Sequence, residues 1–139
     1  MSKKKSQLKS HSHCVFKISY HIVFVTKYRK KCLTDDMLIR LKEIFLEICE
    51  RWDLDLLEFG GKSDHVHLLI EAHPNIFLSR LINSMKTLSS RYIRKEFEVH
   101  LKTFYWKKPV LWTRAYCVLS AGGAPLAVLK KYIENQGKN

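Results

Sequence analysis

The stretch LDLLEFGGKSDHVHLLIEA, residues 54–72, decides the fold of this chain of 139 residues. Residues 54–59 and 65–72 are short apolar runs of strand length. The segment between them, residues 60–64, is polar and contains two glycines, which predicts a turn. The sequence therefore predicts a β-hairpin at the centre of the chain.

The second strand of this hairpin carries two histidines on one face. Val66, Leu68 and Ile70 alternate with His65, His67 and Leu69. Because successive side chains of a strand point to opposite faces, the wholly apolar set is expected beneath the helices that cover the sheet. His65 and His67 are then expected side by side on the open face, where two neutral imidazoles suit one divalent metal ion.

Elements on both sides of the hairpin complete a recognisable order. Thr34 is expected to cap a helix whose first turn holds Asp35 and Asp36, near the positive end of the helix dipole. The other predicted elements are a strand over residues 15–26, a helix over 74–97, an irregular stretch over 100–109, a strand over 110–120 and a last helix from Pro125. The order β-α-β-β-α-β-α predicts an α+β, ferredoxin-like (split β-α-β) antiparallel sheet, with two helices on one face and an additional C-terminal helix.

The organisation expected from composition is one domain, residues 13–139, after a flexible basic arm, residues 1–12. No apolar stretch approaches the length of a membrane span, and the basic start does not resemble a secretory signal. The four cysteines are scattered, which favours buried free thiols over disulfides or zinc: Cys14, Cys32, Cys49 and Cys117. We therefore expect a cytoplasmic protein.

Charge is distributed unevenly along the chain. Lys and Arg number 25 against 13 Asp and Glu, a formal net charge of +12, and eight of the acids lie within residues 35–58. Outside that window 22 basic residues face only 5 acidic ones, which is typical of a nucleic-acid-binding surface.

Residues expected to contact DNA come from two basic segments. One is the cluster at 27–31, and the other is the helix from Ile76 to Lys95, which has no acidic residue. Such cations position a strand through its phosphates, and an exposed aromatic ring can stack on its bases. The predicted contacts are Lys27, Arg29, Lys30, Arg80, Lys86, Arg91, Arg94 and Trp112, and Tyr28 is a second candidate for stacking.

The last helix places Tyr132 and Gln136 four residues apart, on one side and on adjacent turns. Together with the histidine pair, this Tyr-x-x-x-Gln motif resembles the single-tyrosine HUH transposases (transposase A type) of the smallest bacterial insertion sequences. The motifs that carry the resemblance extend over nearly the whole chain: HIVFVTKYRKK, DHVHLLI, Trp112, GGAP and YIENQ.

The resemblance implies a role for each motif residue. His65, His67 and Gln136 would bind Mg²⁺ or Mn²⁺, Tyr132 would be the nucleophile, and Gly122 and Gly123 would form a hinge before the last helix. It also implies a homodimer with shared active sites that recognises hairpins in single-stranded DNA. Cleavage would leave a 5′-phosphotyrosine and a free 3′-hydroxyl.

Other functions remain open at this point. The alternatives are a domesticated relative that nicks repeat hairpins, a non-catalytic single-strand binder and a metal hydrolase. Against the second, the chain lacks the aromatic signature of RNA-recognition domains. Against the third, the site lacks a carboxylate or histidine base placed to activate water. A further histidine pair, His11 and His13, is assigned to the solvated arm.

Overall fold

The computed structural model describes residues 9–11, 14–16, 18–121 and 126–136, and the side chains of 18–121 and 130–136. In chain order the elements are β1 (Lys9–His11), β2 (Cys14–Phe16), β3 (Ile18–Val25), α1 (Asp35–Arg51), β4 (Asp55–Lys62), β5 (His65–Ala72), α2 (Leu78–Glu96), α3 (Glu98–Tyr105), β6 (Cys117–Ser120) and α4 (Leu126–Asn135). Within the described residues, no helix is both long and apolar enough to cross a membrane.

The main sheet has four antiparallel strands in the order β4-β5-β3-β6. With α1 and α2 as the connections, this is the predicted ferredoxin-like α+β architecture, and the prediction is confirmed. The central hairpin is also confirmed, although β4 continues to Lys62, so that only Ser63 and Asp64 form the turn.

The core lies between the sheet and the helices α1 and α2. Val66, Leu68 and Ile70 are fully buried there, as the alternation predicts. The side chain of Thr34 accepts a hydrogen bond from the backbone N–H of Met37, which confirms the predicted N-cap of α1. On the other face of the sheet, Val23 and Val25 form a second, smaller cluster beneath α4.

Three expectations about secondary structure are wrong. Residues 9–11, expected in a flexible arm, pair as β1 with β2. The stretch expected to be irregular contains α3, because Leu101 and Tyr105, four residues apart, both bury against the core. The last strand is much shorter than predicted, since before Cys117 only an isolated bridge between Thr26 and Trp112 joins that segment to the sheet.

Candidate active site

A pocket of about 780 Å³ lies between the open face of the sheet and α4. Its floor contains three histidines, His21 of β3 and His65 and His67 of β5. Charged residues from β4, α4 and the connecting turns surround them: Arg29, Lys31, Glu58, Lys62, Asp64, Lys130 and Glu134. The pocket therefore combines possible metal ligands with several cations able to attract a phosphate.

His65 and His67 lie side by side on this face, as predicted from the alternation of β5. Their ring centroids are 6.3 Å apart and the rings are tilted by 31°. His65 is nearly buried, whereas His67 is exposed to the pocket. One ion can be reached from both rings only if each presents a free nitrogen toward the same point.

Asp64 orients His65. The Asp64 carboxylate lies 2.9 Å from His65 Nδ1, and Arg29 Nε donates to its second oxygen at 3.0 Å. Burial alone would raise the pKa of Asp64, but the hydrogen bonds from His65 and Arg29 outweigh it and lower the pKa. When Nδ1 donates to this carboxylate, Nε2 remains free to bind a metal ion, an arrangement common behind histidine ligands.

The environment of His67 favours its neutral form. Desolvation lowers the pKa of this imidazole, and the neighbouring His65 and His21 lower it further, against an opposing effect of Glu58. Only a neutral imidazole has a lone pair for a metal ion. The surroundings therefore favour the state that a metal ligand requires.

Gly60 provides the space that the His67 ring occupies. The two residues are cross-strand partners, and a Cβ at Gly60 would lie 2.7 Å from His67 Nε2 and 2.9 Å from Cε1. We expect Gly60→Ala to displace the ring and to weaken Mn²⁺ binding by about tenfold or more, the effect typical of losing a residue that positions a ligand. Calorimetric titration with Mn²⁺ measures this change.

Gly61→Ala is the matched control for this prediction. There a Cβ would lie 2.6 Å from the backbone oxygen of His65, which cannot rotate away. Gly61→Ala should therefore lower the melting temperature, while Gly60→Ala, which displaces only a mobile ring, should leave it nearly unchanged. Wild-type affinity for Mn²⁺ in Gly60→Ala would show that Gly60 does not position His67.

The helix α4 lies over the sheet with Tyr132 turned away from the histidines. Lys130, Ile133 and Glu134 line the pocket, and Arg29 Nη1 donates to the backbone oxygen of Glu134 at 2.8 Å. Tyr132 instead packs against Val23 and Val25, together with the β6 residues Cys117 and Leu119.

This position does not suit a nucleophile. The Tyr132 hydroxyl is buried and, among the described residues, has no hydrogen-bond partner. Burial, with a smaller contribution from Cys117, raises the pKa of Tyr132 to about 12, so the phenol is protonated at neutral pH. An unpaired buried hydroxyl costs about 1–3 kcal/mol.

Gln136 is not among the residues that line the histidine pocket. It is half-buried at the end of α4, and its backbone N–H donates to the backbone oxygen of Ile133 at 3.2 Å. In the described part of the chain, no cluster of three or more His, Cys, Asp or Glu side chains could hold a metal ion. Of the three predicted metal ligands, the structure therefore brings together only the two histidines. The predicted hinge, Gly122 and Gly123, lies outside the described residues.

Comparison with known proteins assigns the family. A family model described as "Transposase IS200 like" matches residues 14–136 of the chain. The chain belongs to the IS200-like transposases.

Several known proteins match this transposase in sequence or structure over most of its length. It is 30% identical to the ISDra2 transposase TnpA of Deinococcus radiodurans over 122 residues, 88% of this chain and 86% of that protein. It is also 30% identical to the transposase of insertion sequence IS200 from Salmonella typhimurium over 128 residues, 92% of this chain and 82% of that protein. A crystal structure of a Deinococcus radiodurans protein assigned as a transposase matches with a TM-score of 0.84 and 34% identity, over 93% of this chain and 98% of that one.

The predicted DNA contacts of the transposase fall into two groups in the structure. Lys30, Arg80 and Arg91 are exposed, Lys27 and Arg94 are half-buried at the surface, and Arg29 lines the pocket. These six remain available to phosphate, although Arg29 also bonds Asp64 and Glu134.

One of the predicted contacts is wrong. Trp112 is buried against Phe24, with ring centroids 5.7 Å apart, and its Nε1 donates to Ser89 Oγ at 2.9 Å, so it cannot stack on a base. Lys86 is half-buried, and its Nζ donates to the backbone oxygens of Thr113 and Arg114 at 2.8 and 2.6 Å, so the same ammonium also holds a loop of the protein in place. Among the cysteines, Cys32 and Cys49 are buried as predicted, whereas Cys117 is half-buried.

Three residues of the candidate site were missed by sequence reasoning. Asp64 directly precedes the histidine pair, a position from which a carboxylate can reach the next ring. His21 shares one face of β3 with Val23, but only the pairing of β3 with β5 places it beside His67, opposite Leu69. Gly60 looked like a turn residue, and its role depends on the register that sets it against His67.

Proposed function

We propose that this transposase cleaves and rejoins single-stranded DNA at the ends of an insertion sequence through a covalent phosphotyrosine, and that it recognises hairpins there. The observation that carries the proposal is the His65–His67 pair, in which Asp64 orients His65, in a pocket directly beneath the helix that bears Tyr132. The cations Arg29, Lys31, Lys62 and Lys130 line that pocket and would attract the phosphate.

The proposed reaction has two steps, cleavage and rejoining. In cleavage, Tyr132 Oη forms a bond to phosphorus and the bond from phosphorus to the 3′ oxygen breaks. The phenolic proton is lost to solvent, and the departing oxygen takes up a proton to become a 3′-hydroxyl. In rejoining, a 3′-hydroxyl attacks the phosphotyrosine and the tyrosine leaves, so the bond energy is conserved without ATP.

The donor set fits a divalent ion in part. His65 and His67 would contribute two neutral nitrogens, and the amide oxygen of Gln136 would be the third protein ligand. Such neutral ligands leave the full charge of the ion for the phosphate. Magnesium prefers oxygen ligands, so coordination by two histidines also admits Mn²⁺ or another transition ion. When bound, the ion supplies Lewis-acid polarisation of the phosphate and charge stabilisation on the leaving oxygen.

Assembly of the site requires α4 to move or to come from another subunit. In the position described, Lys130, Ile133 and Glu134 face the histidines, whereas Tyr132 packs toward β6. We propose a homodimer in which α4 of one subunit places Tyr132 and Gln136 beside His65 and His67 of the other. The unpaired hydroxyl and raised pKa of Tyr132 support a resting role for the position described.

The test is formation of a covalent complex. Single-stranded oligonucleotides covering the two flanks of the gene are incubated with the protein and Mg²⁺ or Mn²⁺, then separated under denaturing conditions. A denaturation-resistant protein–DNA adduct, together with a fragment ending in a free 3′-hydroxyl, is the expected result. Cleavage without an adduct would instead point to hydrolysis and would reject the phosphotyrosine.

Asp64→Asn tests whether the carboxylate supports the metal site. Asn retains the shape of Asp but loses the charge shared with His65 and Arg29, so we expect Mn²⁺ affinity to fall by about tenfold or more. Binding is followed by the electron paramagnetic resonance signal of free Mn²⁺. Glu58→Gln, an acid that lines the same pocket without a described bond to a histidine ligand, is the control and should bind nearly as wild type. Equal losses in both variants would indicate only a general effect of pocket charge.

A further inference from the structure

The segment from α3 to β6 presents an aromatic ring and several cations that the proposed chemistry does not use. Trp106 ends α3 and is 83% exposed, as exposed as any large hydrophobic side chain in the described residues. It borders a surface pocket of about 360 Å³, within the range of about 300–1,000 Å³ typical of small-ligand sites. Such a ring normally buries itself, as Trp112 does six residues later.

The backbone holds Trp106 in this exposed position. Its φ is 57° and its ψ is −120°, a conformation that side-chain-bearing residues rarely adopt. Its N–H donates to the backbone oxygen of Lys102, and the N–H of Lys108 donates to that of Tyr105. Strained conformations of this kind concentrate at functional sites.

The residue before Trp106 anchors the segment. The hydroxyl of Tyr105 donates to the backbone oxygen of Lys27 at 2.8 Å, and His100 Nε2 lies 2.7 Å from the backbone oxygen of Cys32. The N–H of Lys27 donates in turn to the backbone oxygen of Leu111. Trp106 therefore projects from a rigid support, which lowers the entropy lost when a ligand binds.

The charge around Trp106 is strongly positive. Four cations line its pocket against one acid, Glu98, and within the described residues none of the four is paired with a carboxylate: Arg94, Lys102, Lys107 and Lys108. A second copy of this chain, with its net charge of +12, would bring like charge to this surface. A polyanion with unstacked rings is the complementary ligand.

The same surface continues toward the histidine pocket. Lys108 Nζ lies 5.6 Å from the ring centroid of Tyr28, and Lys27 Nζ lies 5.2 Å from it on the adjoining turn. Tyr28 is half exposed and also has a positive φ, 58°. The next residue, Arg29, lines the histidine pocket.

We propose that Trp106 stacks on an unpaired base of single-stranded DNA, that Arg94, Lys102, Lys107 and Lys108 bind the adjoining phosphates, and that Tyr28 continues this track toward the active site. This inference rests on the proposed function, because it takes the substrate to be single-stranded DNA. It assigns a role to the basic, aromatic stretch 100–109.

The test measures equilibrium binding without cleavage, in a Tyr132→Phe background. Fluorescence anisotropy measures the affinity for a labelled oligothymidylate and for a blunt duplex of equal length. The protein that retains Trp106 is compared with the Trp106→Ala variant. We expect Trp106→Ala to weaken binding of the single strand by about 5- to 150-fold, the effect of losing one base–aromatic stack, and to leave the duplex unchanged. Trp106→Phe should recover most of the loss.

Further measurements distinguish base stacking from phosphate binding and from docking of another protein. The double variant Lys107→Ala, Lys108→Ala should reduce the dependence of log affinity on log salt by about 0.7 per lost phosphate contact, whereas Trp106→Ala should leave that slope unchanged. Val99→Ala, equally exposed on α3, is the matched control and should bind as wild type. Photocrosslinking with 5-iododeoxyuridine should yield a peptide containing Trp106.

Two results would overturn the inference. They are unchanged single-strand affinity in Trp106→Ala, or equal losses for single strand and duplex. Unchanged affinity together with a change of oligomeric state by sedimentation would make the surface an interface between copies of the chain. The binding measurements do not depend on Tyr132, so the two proposals fail separately. If the wild-type protein forms the adduct but Trp106→Ala does not change DNA affinity, only this inference is rejected. If the wild-type protein forms no adduct but Trp106→Ala weakens binding of the single strand, only the phosphotyrosine chemistry is rejected.

Discussion

Tyr132→Phe is expected to eliminate the covalent protein–DNA adduct, reducing its rate of formation by about a thousandfold or more, as in other enzymes that lose their nucleophile. Affinity for single-stranded DNA should be unchanged, because only one oxygen atom is removed. That hydroxyl has no partner among the described residues, so its removal should not lower the melting temperature and should even raise it slightly. Denaturing gels, anisotropy and thermal melts measure the three quantities.

Tyr105→Phe is the control for this experiment. The Tyr105 hydroxyl donates to the backbone oxygen of Lys27, so its loss should cost about 1 kcal/mol of stability while the adduct still forms. The two variants should therefore affect stability and chemistry in opposite ways. An adduct that persists in Tyr132→Phe would mean that another residue is the nucleophile, and mass spectrometry of the DNA-linked peptide would identify it.

Mixing two inactive variants is expected to restore activity. His67→Ala lacks a proposed metal ligand and Tyr132→Phe lacks the proposed nucleophile, so each alone should fall to background. If α4 serves the other subunit, a heterodimer contains one site with both residues intact and one site with neither. Random assortment makes half of the dimers heterodimers, so about one quarter of all sites should be active.

The experiment has a clear opposite outcome. If α4 served its own histidines, every site in the heterodimer would lack one residue and co-expression would restore nothing. Co-purification through two different affinity tags confirms that heterodimers form, and the His67→Ala, Tyr132→Phe double variant mixed with either single variant is the negative control. Absence of recovery in proven heterodimers would reject the shared site.

The residues of β5 illustrate how far sequence reasoning reaches. The alternation of Val66, Leu68 and Ile70 with the histidines predicts both faces correctly, because the period of a strand is two and one face must be apolar. The motif at the C-terminus pointed to the same family as the comparisons. Local patterns of this kind depend on a few neighbouring residues, so they can be recognised without a structure.

The two tryptophans of the stretch 106–112 differ in a way that the sequence could not predict. Both lie in the same basic, aromatic segment, yet Trp112 packs on Phe24 and bonds Ser89, whereas Trp106 is held outward by a positive φ. The bonds of Lys86 to the backbone of Thr113 and Arg114 are likewise invisible in the sequence. Each outcome depends on partners distant in sequence.

The sequence by itself determined the β-α-β-β-α-β order of the main sheet and its two covering helices, the face on which His65 and His67 stand and the basic character of the protein, because these follow from periodicity and composition. Only the tertiary structure decided that Asp64 orients His65, that Gly60 makes room for His67 and that α4 turns Tyr132 toward β6. These facts depend on strand register and on contacts such as that of Arg29 with Glu134, 105 residues apart. No local pattern encodes such contacts, because they arise only when the chain is folded.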